Sequence, residues 1–451
     1  MRPTSLRIVK DILKRYIFKE NCKCGAVRSL VGQNCVNPPN WSYIGYMHHS
    51  EHNKAARWGK SFFDHVAQTS DAPLGLTIDS AQGSHLFTTD GRSFIDFISG
   101  IAVSSLGHRH PDVVKAIHEQ VDRHLHVMVY GEFIQKPQSE FAELLASVLP
   151  ASLGRIYFVS SGTEANEGAL KLAKKYTGRS KLVAFRNSYH GDTHGSLSVT
   201  GRNVYRDPFL PLLPDVEFLD FNDESGLHAI NSRTAAVIME PIQGEGGIIQ
   251  ANAHWITAVK ERCQAVGALL IFDEIQSGFG RTGELFAFMK YGVVPDILTM
   301  AKAMGGGLPI GGFASSTEIF KVFTENPPLS HVTTFGGHPV SCAAGHAALK
   351  VLLDNKLHLR ASRIEAKIRE RLNHPLIVEI RGTGCMLGLS LRDYDTTRKV
   401  VEYCFENEVL LGWTLHSNTL IRIAPPLTIP DDVLDSALAT IAKALEEAAI
   451  S

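Results

Sequence analysis

The stretch Ala268-Leu269-Leu270-Ile271-Phe272-Asp273-Glu274-Ile275-Gln276 decides the fold. Five apolar residues without alternation, closed by two acids, describe a strand buried on both faces. A helical pattern at 254–266 precedes it, and a second apolar run, Ile297–Met300, follows. Upstream, Arg155–Val159, Lys181–Phe185, 216–220 and 235–240 are runs of the same kind, with a helical segment at 164–176 between the first two. Apolar strands spaced by helices of about ten residues or more argue for an α/β fold with a mostly parallel sheet covered on both faces. Ligands of such sheets gather outside the carboxyl ends of the strands, where Asp273 stands.

Farther from this centre the pattern changes. Toward the N-terminus, His85–Thr88 and 93–97 read as a hairpin turning at Asp90-Gly91, followed by helices at 111–126 and 138–148. Toward the C-terminus, helices at 339–353 and 357–372 precede strands at 377–382, Met386–Leu391 and 420–424, a helix at 396–407 and a last helix from Pro430. This is the order of a smaller α+β domain. The expected division is an arm with part of the small domain at 1–95, a large domain at 96–345 and a C-terminal small domain at 346–451.

The 451 residues contain 44% hydrophobic and 20% charged side chains, the composition of an ordered globular chain. Lys plus Arg total 45 against 46 Asp plus Glu, so nothing points to nucleic acid or an anionic membrane as the bulk partner. Seven cysteines, an odd number without zinc-finger spacing, suggest reduced thiols, a cytoplasmic setting and no metal. The basic, amphipathic stretch 1–18 contains Asp11 and lacks a small-residue cleavage signal, which favours a packed N-terminal helix over a targeting peptide. Trp41, Tyr43 and Tyr46 suggest an aromatic arm.

Three polar clusters sit where apolar strands should end. Ser160-Ser161-Gly162-Thr163 opens the helix at 164–176 and offers unpaired N–H groups and hydroxyls to a phosphate, although an ordinary N-cap has the same composition. Asp273 suits a metal, a basic partner, a protonated ring nitrogen or a simple helix cap. Lys302 follows Ile297–Met300 and precedes Gly305-Gly306-Gly307, whose backbone lets a flat group approach; its bland alternative is a snorkelling lysine. An amine nucleophile, a carboxylate and a phosphate-binding helix start are what a pyridoxal phosphate site needs. Tyr189, beyond Lys181–Phe185, is placed to stack on the ring.

The chain resembles the class III (omega) aminotransferases of the fold-type-I, aspartate aminotransferase-like pyridoxal phosphate enzymes, from about Leu76 onward. The resemblance rests on Ser161-Gly162-Thr163-Glu164-Ala165-Asn166-Glu167, Tyr189-His190-Gly191, Glu240-Pro241-Ile242-Gln243-Gly244-Glu245-Gly246-Gly247, the run from Asp273 to Gly283, Lys302 placed 29 positions past Asp273, and Thr333-Thr334-Phe335-Gly336-Gly337. It implies a large domain with a mostly parallel seven-stranded sheet and a smaller α+β domain. It also implies Lys302 as the Schiff-base lysine and proton carrier, Asp273 on the pyridine nitrogen, Gln276 on the ring hydroxyl, and Gly162 and Thr163 on the phosphate. Ser161, Tyr189, His190 and Glu240 complete the implied cofactor set, and Thr334 would reach the neighbouring subunit's cofactor in a homodimer, or a tetramer of such dimers, with active sites at the interface.

Arg422 matches the family arginine for the substrate carboxylate, and Glu245 the glutamate that pairs with it when the donor is bound. Asp192 departs from the usual arginine at that place; it would repel a carboxylate and suits a cationic amine. His338 replaces the family asparagine. The implied reaction moves the terminal amine of ornithine, acetylornithine or a related diamine or omega-amino acid to 2-oxoglutarate. The alternatives are a diaminopelargonate-type or pyruvate-dependent omega-aminotransferase, a racemase, mutase or decarboxylase of the same fold, and, least favoured, a non-enzymatic scaffold.

Overall fold

The computed structural model describes residues 54–70, 73–129, 131–413 and 417–450. The expected helix at 1–18 and the aromatic residues Trp41, Tyr43 and Tyr46 lie outside the described residues. Each apolar run becomes a strand because it has no polar face to offer water. In chain order the strands are Ile78–Gln82 (β1), His85–Thr88 (β2), Ser93–Asp96 (β3), Arg155–Val159 (β4), Lys181–Phe185 (β5), Val216–Leu219 (β6), Thr234–Met239 (β7), Ile242–Gln243 (β8), Ile249–Gln250 (β9), Leu269–Asp273 (β10), Ile297–Met300 (β11), Gly311–Ser315 (β12), Ile377–Thr383 (β13), Met386–Leu391 (β14), Val409–Leu410 (β15), Gly412–Trp413 (β16) and Leu420–Ile423 (β17).

The large sheet has seven strands in the order β4-β12-β11-β10-β7-β5-β6. All its pairs are parallel except those of β12, which runs antiparallel to β11 and β4. Strand β12, Gly-Gly-Phe-Ala-Ser, has no apolar run to betray it in the sequence. Its glycines answer to packing: a Cβ on Gly311 would lie 2.3 Å from the Ser161 carbonyl oxygen. The helix Gly162–Thr177 covers one face of the sheet with Ala165, Ala169, Leu172 and Ala173, all fully buried, and Gly178 ends it in the left-handed conformation.

The helix from Pro111 stops at Val121, short of the expected His126. The Gln120 carbonyl accepts from Arg123 and His124 N–H while the Gln120 side chain donates to the His124 carbonyl, so the chain turns there. Beyond the large sheet, β13-β14-β17-β16 form a four-stranded sheet. Strand β15 pairs in parallel with β3 and so joins the hairpin to the C-terminal segment, where Ala424 N–H also donates to the Phe97 carbonyl at 2.9 Å.

After β3 the chain makes a left-handed turn. Ser99, Gly100, Ile101 and Ala102 have φ of 49°, 60°, 60° and 64°. For each of the three non-glycine residues this conformation costs about 1–2 kcal/mol, so contacts must hold the turn in place.

Cys263, Cys342, Cys385 and Cys404 are free and buried. No described helix is long and apolar enough to cross a membrane, and no cluster suited to a metal ion occurs among the described residues.

Candidate active site

The carboxyl end of β10 puts Asp273 beneath the start of the Gly162–Thr177 helix, where its side chain is only 4% exposed. Its Oδ2 accepts from His190 Nδ1 and from Asn166 Nδ2, each at 2.8 Å, and its Oδ1 accepts from Ile275 N–H at 3.1 Å. Asn166 also donates to the His190 carbonyl at 2.7 Å and accepts from Thr299 Oγ1 at 2.8 Å. Because a carboxylate only accepts, His190 must carry its proton on Nδ1. Its Nε2 is buried and has no hydrogen-bond partner among the described residues.

Lys302 stands just past β11 with φ 49°, a conformation that lets it project from the strand end. Burial is the largest influence on its amine and lowers its pKa below the ordinary lysine value; Glu245 opposes the shift, Arg422 adds to it, and Asp273 and Glu240 oppose it more weakly. The side chain is partly accessible and makes no hydrogen bond or ion pair among the described residues. A lysine amine pushed toward neutrality and free to react is what carbonyl condensation requires.

Ser161 caps the Gly162–Thr177 helix by accepting from Glu164 N–H at 3.3 Å, while the Glu164 carboxylate accepts from Ser160 N–H at 2.6 Å. The N–H groups of Gly162 and Thr163, first in the helix, have no intrahelical acceptor. A Cβ on Gly162 would lie 2.8 Å from Ile275 Cδ1, so a side chain there would have to displace that isoleucine. Thr163 Oγ1 lies 2.8 Å from Thr193 Oγ1. The Thr193 hydroxyl donates to Glu167, which also accepts from Gly195 and Ser196 N–H at 2.9 and 3.1 Å.

Glu240 supports two neighbours. Its Oε1 accepts from Tyr189 N–H at 3.0 Å and its Oε2 from Gly244 N–H at 2.9 Å, while burial pushes its pKa up to about 7. Arg422 on β17 donates to Glu245 Oε1 at 2.6 Å, and Gln276 Nε2 donates to the same oxygen at 3.2 Å.

Asp192 accepts from the Tyr189 hydroxyl at 2.7 Å, so it orients the expected stacking residue. Thr334 is exposed and does not join its own chain's cluster. His338 stacks on His126 with ring centres 5.7 Å apart, and His126 meets Phe335 at 5.0 Å, which gives the exchange from asparagine a packing role. Asn166, Glu167, Thr193 and Thr299 were given no role from the sequence. The available signal was a fully polar Asn166 beside Ala165 and Ala169 on an otherwise buried helix face.

These residues fit pyridoxal phosphate: a lysine with no hydrogen bond or ion pair among the described residues, a buried carboxylate held by three donors at a strand end, and a helix start crowded against Ile275 at position 162. Lys302, Asp273, Gly162, Thr163 and Tyr189 are the residues suited to hold it.

The Aminotransferase class-III family model matches residues 66–445. The acetylornithine aminotransferase of Methanopyrus kandleri is 40% identical over 374 residues, which is 82% of this chain and 94% of that protein. The [LysW]-aminoadipate semialdehyde/glutamate semialdehyde transaminase of Sulfolobus acidocaldarius is 38% identical over 369 residues, 80% of this chain and 93% of its own length. Among solved structures, an ornithine aminotransferase from Toxoplasma gondii, with partial occupancy of pyridoxal phosphate at its active site, superposes with a TM-score of 0.82 at 30% identity, covering 89% of this chain and 96% of that one. The chain belongs to the class-III aminotransferase family and is a pyridoxal-phosphate-dependent transaminase of fold type I.

Proposed function

We propose that the enzyme moves the terminal amine of ornithine, an N-acylated ornithine or a related omega-amine to 2-oxoglutarate, acting as a homodimer in the cytoplasm. The observation that carries this reading is the buried pair of Arg422 and Glu245 beside Lys302. A planar guanidinium grips a carboxylate with two donors. A neighbouring glutamate neutralises it while a donor that presents only an amine occupies the site.

Bound pyridoxal phosphate supplies the electron sink for loss of the substrate proton. Lys302 would hold the group covalently and carry the proton to and from the substrate carbon. Asp273, oriented by His190 and Asn166, would keep the ring nitrogen protonated. Gly162 and Thr163 would bind the phosphate, and Tyr189, steadied by Asp192 and Glu240, would serve the ring. Support for the dimer comes from Phe335, Val332 and Leu329, which are 57%, 51% and 61% exposed around Thr334. The four free, buried cysteines accord with a reducing compartment. The division at residues 95 and 345 accords with the large sheet drawing all its strands from Arg155–Val159 through Gly311–Ser315.

Single-turnover rates with ornithine, acetylornithine, putrescine and 4-aminobutyrate as donors, and with 2-oxoglutarate and pyruvate as acceptors, test the proposal. Fast turnover confined to pyruvate, or product formation without any keto acid, would overturn it.

A further inference from the structure

The left-handed turn Ser99–Ala102 adjoins the strand that carries Arg422, and a buried acid holds it there. Asp96, 2% exposed, ends β3. Its Oδ1 accepts from the N–H groups of Ile98 and Ser99 at 2.9 and 2.8 Å, which are the residues that lead into the turn. Its Oδ2 accepts from His108 Nε2 at 2.9 Å. His108 is itself fixed by a reciprocal backbone pair with Gly83, at 2.7 and 3.0 Å. The approach is close enough that a Cβ on Gly107 would lie 2.6 Å from the Gly83 carbonyl oxygen.

The other side of the turn faces β17. Ser99 Oγ donates to the Ala424 carbonyl at 2.7 Å, and Ala424 N–H donates to the Phe97 carbonyl at 2.9 Å. Both bonds fall two residues beyond Arg422. Strands β14 and β16 flank Arg422 through Gly388 and Gly412, and a Cβ on Gly412 would sit 3.4 Å from Ile98 Cγ1. Arg281 adds a parallel tie, donating to Ser105 Oγ at 2.8 Å and to the Pro425 carbonyl at 2.6 Å. An ordinary right-handed turn would spare the chain its backbone strain. Strain kept beside a substrate-binding cation, and held by a buried cap, points to a positional demand at that site.

We propose that Asp96, held by His108, is a positioning residue for Arg422: it locks the Ser99–Ala102 turn against the end of β17 and so sets where the guanidinium meets the substrate carboxylate. The proposal rests on the reading of Arg422 as the carboxylate binder. Asp96 touches neither the Asp273 cluster nor Lys302, so its effect falls on substrate binding and spares cofactor binding.

The test compares holoenzymes carrying Asp96→Ala, Asp96→Asn, Ser99→Ala and Arg422→Ala, measuring KM and kcat for 2-oxoglutarate together with cofactor affinity by absorbance titration. Asp96→Ala should raise KM about tenfold or more, with kcat within about threefold and unchanged cofactor affinity. Asp96→Asn, which keeps an oxygen for the Ile98 and Ser99 N–H groups and an amide for the other tautomer of His108, should restore most of the KM. Ser99→Ala removes only the Ala424 bond and should raise KM by a smaller factor, which keeps the test decisive if Asp96→Ala fails to fold. Equal falls in kcat and cofactor affinity, or wild-type KM in the folded Asp96 and Ser99 variants alongside a raised KM in Arg422→Ala, would overturn the positioning role alone. An unchanged KM in Arg422→Ala would overturn the carboxylate assignment and this inference with it.

Discussion

Arg422 donates to Glu245 at 2.6 Å, and both side chains are buried, at 4% and 9% exposure. Neither strand β17 nor the loop after β8 has reason to bury a charge alone; each makes the other tolerable. On the proposed reading, a substrate carboxylate takes the place of Glu245 on the guanidinium.

Removing the cation should therefore act mainly on the acceptor. Arg422→Ala should cost the 2-oxoglutarate half-reaction about 2–5 kcal/mol, roughly 30-fold or more in efficiency, and the amine-first donor half-reaction less. Separate single-turnover measurements check this, and an unaffected acceptor rate counts against the assignment.

Lys302→Ala should abolish borohydride-reducible cofactor and lower turnover by orders of magnitude, since covalent attachment and proton transfer vanish together. Mass spectrometry after reduction reads the first effect. Near wild-type transamination would remove Lys302 from the chemistry.

The Asp273 cluster predicts a contrast. Asp273→Asn should leave cofactor bound but slow both half-reactions, because an amide cannot favour a protonated ring nitrogen as a carboxylate does. Asn166→Ala leaves the buried Thr299 hydroxyl without its 2.8 Å acceptor and the Asp273 carboxylate and His190 carbonyl each one donor short, a loss of about 1–3 kcal/mol that thermal unfolding of the cofactor-free protein should show. Unchanged melting in Asn166→Ala would mean that water replaces its bonds.

Tyr189 and Asp192 should behave as one unit. Tyr189→Phe and Asp192→Asn each disturb the same 2.7 Å bond, so the double variant should be no worse than the more damaging single one. Strict additivity of the two effects on cofactor affinity would show Asp192 acting on its own.

Two buried carboxylates give a pH dependence of known sign. Burial raises Glu274, which accepts from Ala287 and Phe288 N–H at 2.7 and 2.6 Å, from the ordinary 4.5 to about 7, and raises Glu240 to about the same value. A carboxylate raised in the folded state binds more protons there than when unfolded. Its contribution to stability is full below about pH 4.5 and fades as pH climbs through about 7. Glu274→Gln should flatten the fall in melting temperature across that window. An unaltered slope would assign the pH dependence elsewhere.

Much of the site was legible because its chemistry is carried by residue types at strand ends. Asp273 and Lys302 interrupt apolar runs where a parallel sheet binds ligands, and Ser161-Gly162-Thr163 opens a helix. The parallel core strands β5, β7, β10 and β11 were equally readable, since burial on both faces leaves near-continuous apolar runs. By itself, then, the sequence determined the layered α/β architecture and the family, and it pointed to Lys302 and Asp273 as candidate site residues.

Tertiary structure alone decided what depends on neighbours distant in the chain. Strand β12 is specified by lack of room beside Ser161, a constraint that glycine satisfies without any apolar signal. The left-handed turn at Ser99–Ala102 is held by Asp96 and Ala424, the latter more than three hundred positions away. Asn166 and Thr299 meet only when the helix and β11 pack, and Asp192 turns to Tyr189 because the 189–193 loop brings its carboxylate within 2.7 Å of that hydroxyl. Residue type announces what a group can do; the choice among its partners is made by whatever polar group packing brings within hydrogen-bond reach, since a buried group left unpaired is costly.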